Sequence, residues 1–495
     1  MSTTLVWWGI AIYVGLSLYI AYLSRSEKQV NMEGYFLGNR KMNGFVSALS
    51  YSATTYSAFM MVGLAGLTYR GGVGALGFEI IYFMGVSLVA FFGPRFWLVG
   101  KKYGYVTPSE MLGDRYDNKQ VAAIISISSC IFLIPYSAVQ LAGVGYLLEG
   151  MTKGAISFTT GAIIATVLAV VYTYISGIRS VMWTDSLQAL VMIISSTLVV
   201  ILLVNGLGGF GSFFGNLSAE HPESLTVPGN GYFSFSTFLS LTIPWIFFSL
   251  SNPQVSQRLY MPASLGSLRR MLMGFLIFGF IYTIVSVMWG YSAILLFPGL
   301  ENPDVATPSL LSSEFVPPVL GVVVMVSIIA AAISTIDSIL LTLSSLFARD
   351  VYGISKNGRD ESRQLKMGKF VIPVIAILAY GFAELQLDLI AVLSVASSAG
   401  LIVVVPALIG TFFWKRGTAT GVITSVVGSG ILVILLELAK LKPFGFGSGV
   451  WGLLVSIVLF IGVSLITKAP EQKANEFLTY VNEELKKHRK PVNID

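Results

Sequence analysis

Ser50-Tyr51-Ser52-Ala53-Thr54-Thr55-Tyr56-Ser57 and Ala330-Ala331-Ala332-Ile333-Ser334-Thr335-Ile336-Asp337-Ser338 are clusters of small hydroxyl residues set inside long apolar runs. Hydrocarbon penalises an unpaired polar group. Hydroxyls and a carboxylate at membrane depth therefore pair with each other, with a freed backbone carbonyl, or with an ion or ligand. Ion-coupled transport is the first expectation.

The rest of the chain supplies the membrane. Of its 495 residues 55% are hydrophobic and 11% charged, with a mean hydropathy of +0.77, against roughly 25% charged residues in soluble domains. Stretches of about 20 apolar residues, enough to span a bilayer, predict thirteen spans: 5–24, 44–69, 73–98, 121–148, 155–175, 181–206, 233–253, 271–297, 318–346, 368–383, 387–413, 418–439 and 449–467. With the N-terminus outside and the C-terminus inside, every Lys and Arg except Arg70, Lys153, Lys440 and Lys442 falls on the inner side, as the positive-inside rule asks. The net charge of +6 then reflects topology and contact with anionic inner-leaflet lipid rather than a nucleic-acid partner. The expected location is the plasma membrane, or the cell inner membrane in a bacterium.

Several classes drop out. A single cysteine, Cys130, excludes an intrachain disulfide, and two histidines, His221 and His488, leave no transition-metal cluster. Gly72-Val73-Gly74-Ala75-Leu76-Gly77 fits a dinucleotide fingerprint but opens a membrane span instead of following a soluble strand. The first 24 residues lack a basic leader region, so the N-terminal span is expected to stay in the mature protein. No loop is long enough to bury a core. The tail 469–495, with Phe477, Leu478, Val481 and Leu485 among charges, reads either as an amphipathic surface helix or as a solvated segment. No intramembrane enzyme constellation or organic cofactor is expected. A channel would need a polar stripe through several spans, and a solute sensor would usually append a soluble domain.

Carboxylates narrow the chemistry. Glu79, Asp185 and Asp337 lie within spans, with no Lys or Arg expected at their depth. Such an interior favours cations, and with them zwitterions or neutral solutes.

Tyr35-Phe36-Leu37-Gly38-Asn39-Arg40, Ala48-Leu49-Ser50, Gly63-Leu64-Ala65-Gly66, Val181-Met182-Trp183-Thr184-Asp185-Ser186-Leu187-Gln188-Ala189 and Ala331-Ala332-Ile333-Ser334-Thr335 occur in an order that resembles the sodium/solute symporter family, over roughly residues 30 to 440. That family includes proline and pantothenate permeases and the sodium-glucose and sialic acid cotransporters. The resemblance implies an all-α polytopic membrane protein with a leucine-transporter-like 5+5 inverted repeat and three additional helices. Its parts would be an extra helix at 1–30, a first repeat at 31–206, an outer loop and second repeat at 207–417, two extra helices at 418–467 and a cytoplasmic tail at 468–495. The first helix of each repeat would be broken at mid-membrane, at Ser50–Ser57 and around Pro244 and Pro253.

The resemblance also implies sites. Sodium would meet the backbone carbonyls of Ala53, Tyr56 and Ala331 and the hydroxyls of Ser334 and Thr335. Asp185 and Asp337 are further coupling or second-ion candidates. Asp185 could instead pair with Arg179. Substrate candidates are Thr55, Ser57, Glu79, Tyr136, Gln140, Trp245, Ser249, Asn252 and Ser397. The bland readings are hydroxyls bonded back to their own helix, close packing at Ser397, an Arg70 partner for Glu79, and aromatic side chains as core. At Thr55 the chain departs from proline permeases, which carry aspartate there. The expected cargo is a small solute such as proline, with pantothenate or a monocarboxylate as alternatives and sodium or a proton as the driving ion. Oligomeric state is not legible.

Overall fold

A computed structural model describes residues 2–23, 31–355, 360–387 and 389–489. Among them, ten helices are long and apolar enough to cross a bilayer. Side-chain caps start many of these rods: Asn43, Thr107, Ser157, Ser234, Ser264 and Thr418 each accept from a backbone N–H two or three residues on, satisfying a donor that a helix start leaves open. The uninterrupted spans are α1 (Thr3–Leu23), α5 (Gly74–Tyr103), α7 (Lys119–Met151), α13 (Leu265–Leu296), α15 (Pro318–Leu346), α16 (Glu361–Ala383), α19 (Ala419–Leu438) and α20 (Ser448–Ile466). Short helices α2 (Met32–Leu37), α6 (Pro108–Arg115), α9 (Gly209–Glu220) and α14 (Ala306–Leu311) lie in the connections.

Three of the thirteen expected spans lie outside those ten, and two of them are broken. The expected span 44–69 is α3 (Gly44–Thr55), a break at Tyr56 with φ −93° and ψ 74°, a wide π-type turn over Phe59–Leu64, and α4 (Ala65–Gly71). Ser52 and Thr55 donate to the carbonyls of Ala48 and Tyr51, at 2.8 Å each, a competition with the helix's own bonding that loosens it just ahead of the break. The expected span 233–253 is α10 (Phe235–Ile246), α11 (Phe248–Ser251) and α12 (Pro253–Ser256), with Asn252 extended between the last two. It runs on through a 3-10 turn to Tyr260. Pro253 starts a new helical turn, capped by the Asn252 side chain, where an end was expected.

The third is part of α8 (Phe158–Gly206), a helical run of 49 residues where two spans, 155–175 and 181–206, are expected. A straight rod of that length would measure roughly 74 Å, yet its two ends reach the same face. Thr159 bonds Glu384 at the end of α16 at 3.0 Å, and Gly206 packs on Phe315 just ahead of α15. The parts of α8 at Phe158–Tyr174 and Val181–Gly206 are each apolar and correspond to the two expected spans.

The two breaks sit among the same neighbours. α3 packs on α13 and α8, α10 packs on α5, and α17 (Ile390–Leu401) touches both α10 and the wide turn before continuing to α18 (Val405–Phe413). At Gly85 a Cβ would lie 2.0 Å from the Ile246 carbonyl oxygen, so only glycine lets α5 approach the end of α10 this closely. The tail forms α21 (Glu471–Arg489). It docks rather than projecting free: Phe477 is fully buried against Tyr103 and Phe412, and Lys473 meets Asp114 at 2.8 Å. That bond holds the Lys473 ammonium above its ordinary value.

Candidate functional site

The first cluster lies where the last turn of α3 meets α15. Thr335 is fully buried, and its Oγ1 stands 3.4 Å from the Ala53 carbonyl oxygen, 3.2 Å from that of Thr54 and 3.0 Å from that of Ala331. One hydroxyl proton serves one of these carbonyls at a time, so lone pairs of several oxygens converge on a dry spot. Hard cations seek oxygen-only surroundings of this kind. Ala53, Ala331 and Thr335 are thus together. Ser334 is also buried, and its Oγ has no hydrogen-bond partner among the described residues. Tyr56 ends α3, with its ring stacked on Phe275 and edge-on to Tyr82.

A polar network lies beside this spot. Asp185 accepts from Ser50 Oγ at 2.7 Å and lies 3.6 Å from Arg258 Nη2. Arg258 donates to Ser50 at 2.6 Å and to Ser338 at 2.5 Å. Ser338 in turn meets Thr54 Oγ1 at 3.2 Å and the Ser334 carbonyl at 2.9 Å. The expectation of an interior without Lys or Arg is therefore corrected. Arg258 is 2% exposed, because the second broken helix continues past Pro253 and carries it into the bundle. Asp185 pairs with it; the side chain of Arg179 lies outside the described residues. Ser50, Thr54, Ser338 and Arg258 had not been singled out as ligands or partners. The Asn252-Pro253 pair, read as a helix start rather than a stop, is the signal that would have found Arg258.

Asp337, about one turn on from Ser334, accepts from Thr173 Oγ1 at 2.9 Å. A cavity of about 20 Å³ beside it is lined by Tyr13, Ser17, Tyr172, Gln188 and Ser334, among others. The N-terminal helix α1 thus reaches Ser334 and Asp337.

The remaining candidates gather near the second break. Glu79 accepts from Trp245 Nε1 at 3.2 Å, while Arg70 lies over the Tyr232 ring, so that pairing is replaced. Tyr82 and Ser249 hydroxyls meet at 2.8 Å. Tyr136 stands 5.5 Å from Phe248 between ring centroids. Both amide atoms of buried Gln140 and the Nδ2 of buried Asn252 have no hydrogen-bond partner among the described residues. Thr55 and Ser397 bond back to the i−4 carbonyls of Tyr51 and Leu393, as Thr335 also does to that of Ala331, and Ser57 Oγ accepts from Phe59 N–H at 3.3 Å.

Two interrupted membrane helices flanking a buried oxygen cluster are the build of a secondary transporter. The model of the "Sodium:solute symporter family" matches residues 35–428, and the chain belongs to that family. Similar proteins include a sodium/pantothenate symporter of Haemophilus influenzae, 28% identical over 89% of this chain and 91% of its own length, and a sodium/proline symporter of Staphylococcus aureus, 27% identical over 93% and 92%. Among solved structures, a sodium-coupled sialic acid symporter in a substrate-bound outward-open state superposes with a TM-score of 0.77 at 20% identity, over 94% of this chain and 98% of that one. A nucleobase-cation-symport-1 family transporter in a closed conformation gives 0.57 at 14% identity, over 90% and 98%. The fold is that of leucine-transporter-like symporters. The protein is a multi-pass membrane transporter, not an enzyme, and moves a small organic solute with sodium.

Proposed function

We propose that sodium binds to the carbonyls of Ala53, Tyr56 and Ala331 and the hydroxyls of Ser334 and Thr335, and that its binding ties α3 to α15. The placement of Thr335 Oγ1 among the Ala53, Thr54 and Ala331 carbonyls carries this reading. Asp185 and Asp337 serve as a second-ion or coupling locus, fed by the field of two carboxylates on either side of Ser334. Transport proceeds by alternating access. Sodium entering from outside stabilises the state that accepts substrate, closure over the substrate follows, and both leave inward. One charge crossing 100 mV supplies about 2.3 kcal/mol.

Thirteen spans with the N-terminus outside and the C-terminus inside are supported by the ten long helices, the two broken ones and the apolar Phe158–Tyr174 half of α8. Spans two to six and seven to eleven form the two repeats. Extra helices 1–30 and 418–467 flank them, and the tail 468–495 is cytoplasmic. The substrate lies between the breaks, near Glu79, Tyr136, Gln140, Trp245, Ser249 and Asn252, with Thr55, Ser57 and Ser397 shaping the helices around it. A zwitterionic amino acid such as proline is the favoured cargo, and pantothenate or a monocarboxylate the alternative.

The test is uptake into proteoliposomes of labelled proline, pantothenate, pyruvate, acetate and a sugar under an inward sodium gradient, with potassium as replacement. Uptake of one solute that requires sodium and is lost in Ser334→Ala supports the assignment. Proton-driven uptake, or unchanged transport in Ser334→Ala, moves the ion to Asp337.

A further inference from the structure

Glu79 is 1% exposed and its carboxylate takes a hydrogen bond from a neutral indole, Trp245 Nε1. Among the described residues it has no ion-pair partner. A lone acid in the hydrocarbon interior is strongly penalised unless a positive partner arrives. The indole that meets it stands in an aromatic cluster. The Trp245 ring stands 4.9 Å from Phe59, 5.4 Å from Phe78, 5.7 Å from Tyr82 and 4.7 Å from Phe248 between centroids, and Tyr136 closes on Phe248. These rings come from the wide turn after the first break, from α5, from α7 and from the second broken helix ahead of Asn252, so four elements each contribute at least one. Core packing alone explains the rings but gives no reason for a carboxylate among them.

We infer that this box takes the positive nitrogen of an alkylated ammonium, secondary to quaternary, carried by a small zwitterion. The inference rests on the symport reading and names its substrate class. Glu79 supplies the countercharge. The negative ring faces attract a cation within about 6 Å without needing N–H donors, which suits a nitrogen whose protons are replaced by carbon. The opposite end of the ligand meets amides. Gln140 lies one turn beyond Tyr136 and one turn before Gly143, whose Cβ position is 3.0 Å from Ala58 at the first break, and Asn252 lies one turn after Ser249. Their unpartnered Nε2 and Nδ2 groups donate to a carboxylate. A bare carboxylate such as pyruvate or pantothenate would instead place a second anion beside Glu79 and leave the box empty of positive charge. The rings are in mutual contact, so entry of the ligand rotates Trp245 and Phe248 apart.

Equilibrium binding to the purified full chain tests this, with labelled glycine betaine, proline, pantothenate and pyruvate in sodium or potassium chloride. Glycine betaine and proline should bind and compete with each other, and pantothenate and pyruvate should not. Glu79→Gln, nearly isosteric, should raise the Kd of the bound ammonium probe at least about tenfold. Trp245→Phe should stay within about threefold, while Trp245→Leu should weaken binding about fivefold. That ring-dependent contrast keeps the inference testable even where Glu79→Gln does not fold. Binding of pantothenate or pyruvate, untouched by Glu79→Gln, or no binding of either ammonium probe, overturns the inference. The sodium arm separates the two readings. Sodium-dependent binding of pantothenate keeps the symporter assignment and removes the ammonium box, whereas betaine binding indifferent to sodium does the reverse.

Discussion

Thr335→Val removes one oxygen and keeps the shape. Valine reproduces the branched volume of threonine, so the packing of α15 against α3 is preserved, while the oxygen 3.0–3.4 Å from the carbonyls of Ala53, Thr54 and Ala331 disappears. A contact between a polar group and a charge contributes about 1.5–3 kcal/mol. Loss of one sodium ligand should therefore raise the half-saturating sodium concentration roughly 10- to 150-fold at 1.4 kcal/mol per decade. The assay is sodium-dependent uptake into proteoliposomes at fixed voltage, with the sodium curve measured at saturating substrate and the substrate curve at the highest sodium that saturates. The sodium curve should shift and the substrate KM at saturating sodium should hold within about threefold, because the mutated atom faces the ion. Thr335→Ser, which keeps the oxygen and loses a methyl group, should recover most of the sodium affinity. The variant protein should melt near the parent, since the lost hydroxyl bonded mainly to carbonyls that retain acceptor capacity. A half-saturating sodium concentration within twofold of the parent in Thr335→Val would refute the reasoning, whatever the maximal rate.

Three further outcomes are expected. Arg258→Met strands the buried Asp185, which costs about 3–5 kcal/mol, so thermal stability in detergent should fall sharply, and the double change Arg258→Met with Asp185→Asn should restore much of it; an unaltered melt in the single variant contradicts the pairing. Gly85→Val drives side-chain atoms into the Ile246 carbonyl, already 2.0 Å from a Cβ at that position, so transport should be abolished while Gly93→Ala, where the nearest atoms are 3.7 Å away, should leave it near the parent level. Docking of α21, read by cysteine crosslinking or hydrogen exchange, should survive Lys473→Ala with a loss under about 1 kcal/mol, as expected of a part-exposed pair, but fail in Phe477→Ala. Because the Asp114 bond raises the Lys473 value in the folded state, the pair's contribution is complete below the unfolded lysine value of about 10.4 and is lost as pH rises through the higher folded value; protection from exchange, taken relative to the intrinsic rate at each pH, should therefore be flat from about pH 6 to 9, and a drop in protection within that window would contradict the pair.

What the sequence made legible is set by depth. Hydroxyls at Ser50–Ser57 and Ser334–Ser338 are conspicuous because hydrocarbon surrounds them, and Thr335 does meet the carbonyls of Ala53 and Ala331. The halves of α8 were read as separate spans because a membrane span is about 20 residues whatever the helix does between them. Side-chain direction was less legible. Thr55 and Ser397 have the composition of ligands, yet each satisfies its hydroxyl on its own helix, a choice fixed by rotamer and backbone rather than by residue type. Arg258 was misplaced for a related reason. Hydropathy marks where a span could end and puts that end at Pro253, but a proline capped by Asn252 starts a turn as readily as it stops one. The consequence is chemical as well as geometric. With Arg258 inside, the Asp185 carboxylate is already matched by a cation held in the bundle, whereas among the described residues Glu79 is met by an indole and no cation. Two acids that look equivalent as intramembrane carboxylates therefore differ in what they lack: Asp185 sits beside a buried arginine at the junction of α3, α8 and α15, and on the reading inferred above Glu79 meets a positive charge brought from outside the chain.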